Sequence, residues 1–200
     1  TVTKEKGTAG PLLRHFTGVL LNGPRSAPFQ YVPSTWKKFP DGNDLIRLGG
    51  FVPDNLVFNS HVVFCASFHS NDATMQILHS LVVLLESCIK SLTLVAPFFP
   101  FGTMERVEVE GVVATANTTA KLLSALPSCG RPIRFLTFDI HAQVIRHYFH
   151  GNVQAPPQSA LPLFKAMVPE LATVSYIFFP DAGAHKRFAR CFPGQDTGYC

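Results

Sequence analysis

Short apolar runs recur along the chain. Each is closed by a polar or turn-forming stretch, and the longer segments between them carry apolar residues at helical spacing. Residues 62–66, Val-Val-Phe-Cys-Ala, are mostly β-branched and aromatic, which predicts a buried parallel strand. Asn71-Asp72 offers a cap to the next segment, where Met75, Leu78, Leu81, Val82 and Leu85 recur with helical period. The alternation then repeats: strand at 92–96, loop at 97–111, helix at 112–126 stopped by Pro127 and Gly130, strand at 133–138, short helix at 142–149. A helix at 161–171, a strand at 174–179 and a helix start at 184–190 follow. Upstream, 46–48 reads as a short strand and 49–59 as a turn-rich connection, while 1–35 is loosely patterned, with a strand within 12–21 and a loop at 24–34. Strands alternating with helices of this length predict an α/β fold: a parallel sheet with helices on both faces.

Composition narrows the classes. Of 200 residues, 46% are hydrophobic and 15% charged, enough for a buried core and too apolar for disorder. The net charge of +4 is modest, and the basic residues are scattered apart from Lys37-Lys38 and His185-Lys186-Arg187. That pattern makes no nucleic-acid stripe, so no nucleic-acid partner is expected. The five cysteines, 65, 88, 129, 191 and 200, form no CxxC, which argues against a disulfide framework or zinc knuckle and for a reduced compartment. No apolar run is long enough for a membrane span and no signal peptide is evident, so a cytoplasmic site is expected, an organellar one remaining open. A chain starting at Thr1 and ending at Cys200 after a loop-like stretch reads as an interior piece of a longer product.

Two segments carry the chemistry. Phe138-Asp139-Ile140-His141-Ala142-Gln143 and Phe179-Pro180-Asp181-Ala182-Gly183-Ala184-His185-Lys186-Arg187 are both apolar runs that stop at an acidic residue and turn polar. If the two strands lie side by side, His141 and Asp181 share the carboxyl rim, where open α/β sheets bind phosphates and metals. Asn71, Asp72 and Arg106 fall at other strand ends, Asp139 and Lys186 in these same two segments, and together the set suits a magnesium–triphosphate. Plainer roles stand beside this. Asp181 can cap a helix and His141 can be a hydrogen-bonded structural residue. His141, His147 and His150 form a conceivable zinc cluster, although at no common spacing. Phe98-Phe99-Pro100-Phe101 reads as core packing, and Glu105, Glu108 and Glu110 as a solvated loop face. Neither GxxxxGK[ST] nor GxGxxG is present.

Five segments in order resemble the N-terminal part of the ribose-phosphate diphosphokinase (phosphoribosyl pyrophosphate synthetase) family: Phe39-Pro40-Asp41-Gly42, Ala66-Ser67-Phe68, Pro97-Phe98-Phe99-Pro100, the Asp139-x-His141 segment and the Pro180-Asp181-x-Gly183 segment. The resemblance runs from about Trp36 to Cys200. It implies a phosphoribosyltransferase-like fold and transfer of the β,γ-diphosphoryl group of ATP to the C1 hydroxyl of ribose 5-phosphate, with Mg2+ required. It implies that His141 and Asp181 hold the metal–ATP, and that Phe39, Asp41 and the neighbouring Asn43 reach the adenine of another subunit of a homo-oligomer. Residues 36–200 then form the first α/β domain of a two-domain enzyme whose second domain lies outside this chain.

Departures from the family pattern sharpen these expectations. Asn43 stands where the family usually has glutamate. A Tyr-Ala-Arg-Gln-Asp loop that contacts ATP becomes Phe101-Gly102-Thr103-Met104-Glu105-Arg106, similar to plant-type (class II) members. Thr103-Met104 cannot supply a guanidinium fork, so Arg106 is the expected substitute for nucleotide contact, with Arg106 and Lys186 as candidate catalytic cations. The same losses leave a non-catalytic regulatory or structural homologue as the alternative.

Overall fold

The computed structural model describes residues 2–3, 30–168 and 173–200. The expected strand within 12–21 lies outside the described residues. Two compact units are present, Thr1–Gln158 and Ser159–Cys200.

The first unit is built on a five-stranded parallel sheet. Its strands are β1 (Val2–Thr3), β4 (His61–Cys65), β5 (Ser91–Val95), β6 (Ile133–Leu136) and β7 (Val153–Gln154), in the order β1-β4-β5-β6-β7. Between β1 and β4 in sequence, β2 (Thr35–Lys38) and β3 (Asp44–Arg47) form an antiparallel hairpin, with Lys38 opposite Asp44. The sequence pattern placed the second arm of this hairpin one to two residues late. It missed the first arm, because Thr-Trp-Lys-Lys buries no side chain fully.

Period-2 alternation explains the core. Val62 and Phe64, Leu92 and Leu94, Ile133 and Phe135 are register neighbours on one face, and each is at most 2% exposed. On the other face Val63, Cys65, Thr93 and Leu136 are half-buried and Arg134 is exposed. Helix α1 (Asn71–Glu86) links β4 to β5, and α2 (Thr115–Ser124) links β5 to β6. α1 buries Ala73, Ile77, Leu81, Leu84 and Leu85, a stripe at helical spacing. Met75, expected in that stripe, is 48% exposed, so the buried face is turned from the one read off the sequence. The cap is Ser70 rather than Asn71-Asp72: its hydroxyl accepts from Ala73 N at 3.1 Å.

Three boundaries also move. α2 begins at Thr115 because Gly111 takes φ +89° and Val112-Val113 stay outside the helix. β6 stops at Leu136, ahead of the left-handed backbone at Asp139. Residues 143–148 form a 3-10 turn rather than an α-helix, with only Ile145 buried and no side-chain cap.

The second unit holds α3 (Leu161–Met167), β8 (Tyr176–Phe179), α4 (Ala182–Phe188) and β9 (Asp196–Tyr199). β8 pairs with β9 in parallel, forming a two-stranded sheet of its own. The strand before Asp181 thus takes its partner from within its own unit. An apolar run of strand length does not specify its partner, and here the partner is the polar Asp196–Tyr199 strand. A Cβ at Gly198 would sit 2.7 Å from the Tyr176 hydroxyl, so a larger residue there would displace the exposed Tyr176 ring.

Candidate functional site

Because β4, β5 and β6 run parallel and in register, the segments that follow them open onto one edge of the sheet. Phe99 fastens these segments together. It is 4% exposed, and its ring lies 6.2 Å from Phe68, 5.3 Å from Phe101 and 5.6 Å from Phe135. The core reading of the Phe98–Phe101 string holds for Phe99 and the half-buried Phe101, but Phe98 is 70% exposed. Backbone bonds tie the loops after β5 and β6, from Ala96 N to Leu136 O at 2.9 Å and from Phe138 N to Pro97 O at 3.3 Å.

The two loops run side by side at Gly102. A Cβ at this position would lie 3.5 Å from Ile145 Cδ1 and 3.8 Å from His141 Cβ, ordinary contact distances, so the post-β5 loop runs close to the base of His141 with room for a methyl group between them. His141 is exposed, and its imidazole makes no hydrogen bond among the described residues. Two residues earlier Asp139 takes φ +46°, a conformation costing on the order of 1 kcal/mol or more away from glycine. Its N–H donates to Gln158 O at 3.0 Å. Strain of this kind clusters where a fold presents side chains for function, and here it immediately precedes His141.

The hairpin tip is internally bonded. Phe39 N donates to Asn43 O at 2.8 Å and Gly42 N to Phe39 O at 2.9 Å, with Gly42 at φ +89°. Asp41 accepts from Asn43 N at 3.0 Å and from Asn43 Nδ2 at 2.9 Å. These bonds, the backbone one foremost, hold the Asp41 carboxyl below the usual carboxylate range. Asn43 thus replaces a carboxylate that would repel Asp41 with an amide that fixes it. Phe39 is 47% exposed at the tip. Below the tip, Lys38 Nζ donates to Asp72 Oδ2 at 2.6 Å, and that bond raises the Lys38 pKa. Asp72 is therefore engaged, not the unattached carboxylate the sequence pattern offered to a metal.

Arg106 extends from the loop after β5 with its side chain 72% exposed. Its Nε and Nη2 both lie 3.2 Å from Glu108 Oε1, and Nε lies 4.0 Å from Glu105. An exposed pair of this kind contributes about 0.2–1 kcal/mol, so a multiply charged phosphate can displace Glu108. Glu108 and Glu110 are exposed as expected, whereas the Glu105 side chain is only 17% exposed.

In the second unit Asp181 caps α4, its Oδ1 accepting from Ala184 N at 2.7 Å. Both Asp181 and Lys186 are exposed. His185 is structural: its Nε2 lies 3.1 Å from Thr197 Oγ1, and its ring packs beside Phe179 and Tyr199. His141 and Asp181 thus stand on different units. Among the described residues no three His, Cys, Asp or Glu side chains converge as a metal cluster, which removes the zinc alternative; His147 Nε2 instead accepts from Arg146 Nε at 3.1 Å. Pattern reading missed Gln76, Gly102 and Lys38.

No family model matches the chain. The chain is 40% identical over 175 residues to the chloroplastic ribose-phosphate pyrophosphokinase 3 of Arabidopsis thaliana, a match covering 82% of this chain and 40% of that protein. It is 39% identical over 163 residues to the mitochondrial ribose-phosphate pyrophosphokinase 3 of Spinacia oleracea, covering 77% of this chain and 38% of that protein. The chain therefore spans less than half the length of these relatives. The solved phosphoribosylpyrophosphate synthetase of Mycobacterium smegmatis superposes with a TM-score of 0.69 at 20% identity, over 99% of this chain and 62% of that one. That likeness establishes the α/β, phosphoribosyltransferase-like fold.

Proposed function

We propose, from the premise that this chain belongs to the ribose-phosphate pyrophosphokinase family, that it carries the nucleotide side of an enzyme transferring the diphosphoryl group of ATP to ribose 5-phosphate. The products are phosphoribosyl diphosphate and AMP. The observation that carries this is the closeness of the Gly102 loop to His141 beside the strained Asp139, which sets an imidazole with no hydrogen bond among the described residues on the carboxyl edge of the parallel sheet. In-line phosphoryl transfer demands positioning and charge neutralisation more than covalent chemistry, and such an edge suits both.

Mg2+ would arrive as its ATP complex; Asp181 offers the oxygen a hard cation prefers, whereas a histidine nitrogen is an unusual ligand for it. The ion keeps several waters and phosphate oxygens and asks the protein for one or two ligands, and no self-sufficient cage is present among the described residues. His141 and Asp181 would hold it, the ion neutralising phosphate charge. Arg106 and Lys186 supply cationic contacts to the phosphates, and Phe39, Asp41 and Asn43 form the adenine contact, shared between subunits of a homo-oligomer. The organellar names of the plant relatives support an organellar setting beside the cytoplasmic one expected from sequence.

The test is magnesium-dependent AMP formation from ATP that requires ribose 5-phosphate, in the full gene product. His141→Ala and Asp181→Ala each lower turnover by about two to three orders of magnitude. Asp181→Asn keeps the helix cap and still loses activity. Near-normal turnover in both alanine variants overturns the site. The engagement of Arg106 by Glu108 favours one rival, a non-catalytic homologue, for which the wild type would bind ATP without turnover.

A further inference from the structure

We propose that Asp72 and Gln76 of α1 form a two-point clamp that aims the tip of the β2–β3 hairpin. The two residues stand four apart, hence on one face of the helix. Each takes one arm of the hairpin at the base of the tip. Asp72 Oδ2 accepts from Lys38 Nζ at 2.6 Å, and Gln76 Nε2 donates to Asp44 Oδ1 at 2.7 Å. Lys38 and Asp44 are the last cross-strand pair before the five-residue loop Phe39–Asn43. The clamp therefore grips the hairpin at its final rung, on both strands.

Two bonds to one helix face fix direction as well as distance. Breaking either one leaves the hairpin a pivot. Breaking both leaves the hairpin to packing away from the tip, such as Trp36 on Phe64, an edge-on arrangement with 6.3 Å between ring centroids. The Asp44 bond is part-buried, so it is screened less than the exposed Lys38 pair. Internally, the tip is already rigid through its Asp41–Asn43 bonds. A rigid tip on an aimed hairpin presents Phe39 in one place, which lowers the ordering cost of binding. The consequence for ATP rests on the nucleotide role proposed above, whereas the clamp rests on its own geometry.

Trp36 is the chain's only tryptophan, and its indole N–H is buried with no hydrogen-bond partner among the described residues. Its fluorescence therefore reports the hairpin directly. In Asp72→Ala/Gln76→Ala the emission moves to longer wavelength and acrylamide quenching rises roughly twofold, as local opening wets the ring. The Kd for magnesium–ATP rises about tenfold. Lys38→Asp alone shifts the Trp36 signal, and adding Asp72→Lys restores it. Wild-type fluorescence in the double alanine variant overturns the clamp. If that variant fails to fold, the charge-swap pair decides: a swapped protein that quenches like Lys38→Asp alone also overturns it. If the wild type binds no ATP, the nucleotide role fails while the Trp36 measurements still judge the clamp.

Discussion

The two compact units hold their candidate residues on unequal foundations. In residues 1–158, Phe64, Leu92, Leu94, Ile133 and Phe135 are at most 1% exposed, and Phe99 ties that core to the loops bearing Gly102 and His141. In residues 159–200 only Phe179 and Phe192 are buried among the described residues, and α3 and α4 bury nothing. The second unit is held by local interactions instead. Phe179 packs on Phe192, Lys165 lies over the Phe192 ring and donates to Cys191 O, and His185 sits beside Thr197. A segment of about forty residues rarely buries enough apolar area to support itself. His141 is therefore fixed by the same packing that stabilises the sheet, whereas Asp181 is placed only by local contacts of its own unit.

The largest expected effect breaks the stronger side. Phe99→Ala removes a ring at the centre of the aromatic cluster and costs about 3–5 kcal/mol of stability, measured by chemical denaturation. The same truncation at Phe192 leaves the main transition within about 0.5 kcal/mol and instead speeds amide exchange at Tyr176–Phe179. Equal losses at the two sites would show that the units share one core, erasing the contrast.

A smaller effect sharpens the weaker side. Asp181→Ala removes the α4 cap and costs about 0.5–2 kcal/mol of local stability, read by exchange of the α4 amides, while Asp181→Asn costs almost nothing. If the asparagine variant keeps stability but loses turnover, capping and metal holding are separate duties of one carboxylate. If the two substitutions are equally destabilising, the cap is not what holds this helix.

The same inequality governs what could be read from sequence. The β4–α1–β5–α2–β6 series was legible because its strands bury continuous Val, Leu and Phe runs and its helices repeat at 3.6 residues. The motif ends at Asp139–His141 and Asp181–Gly183 were legible because each terminates such a run. The partner of β8 was not, since the Tyr176–Phe179 run looks the same whether it joins a large sheet or a small one. Nor was the hairpin network: Lys38, Asp72 and Gln76 are ordinary surface residues until folding sets 34 and 32 residues of separation to zero. Asn43 was visible only as a departure. Its donation to Asp41 is a property of the turn.

Titration of that turn gives the smallest effect and tests the first unit at its edge. The folded Asp41 carboxyl is depressed by two bonds from Asn43. A depressed folded value means that the turn is favoured above the unfolded aspartate pKa of about 3.9 and loses this support as pH falls through the lower folded value. Carboxyl chemical shifts should therefore show Asp41 titrating below that reference. Asn43→Asp removes the amide donor and adds a second carboxylate, so its Asp41 should titrate higher, while Trp36 fluorescence stays that of the wild type at pH 7 if the clamp on α1, not the turn, places the hairpin. A Trp36 shift in Asn43→Asp would mean that the tip and its base are one cooperative element.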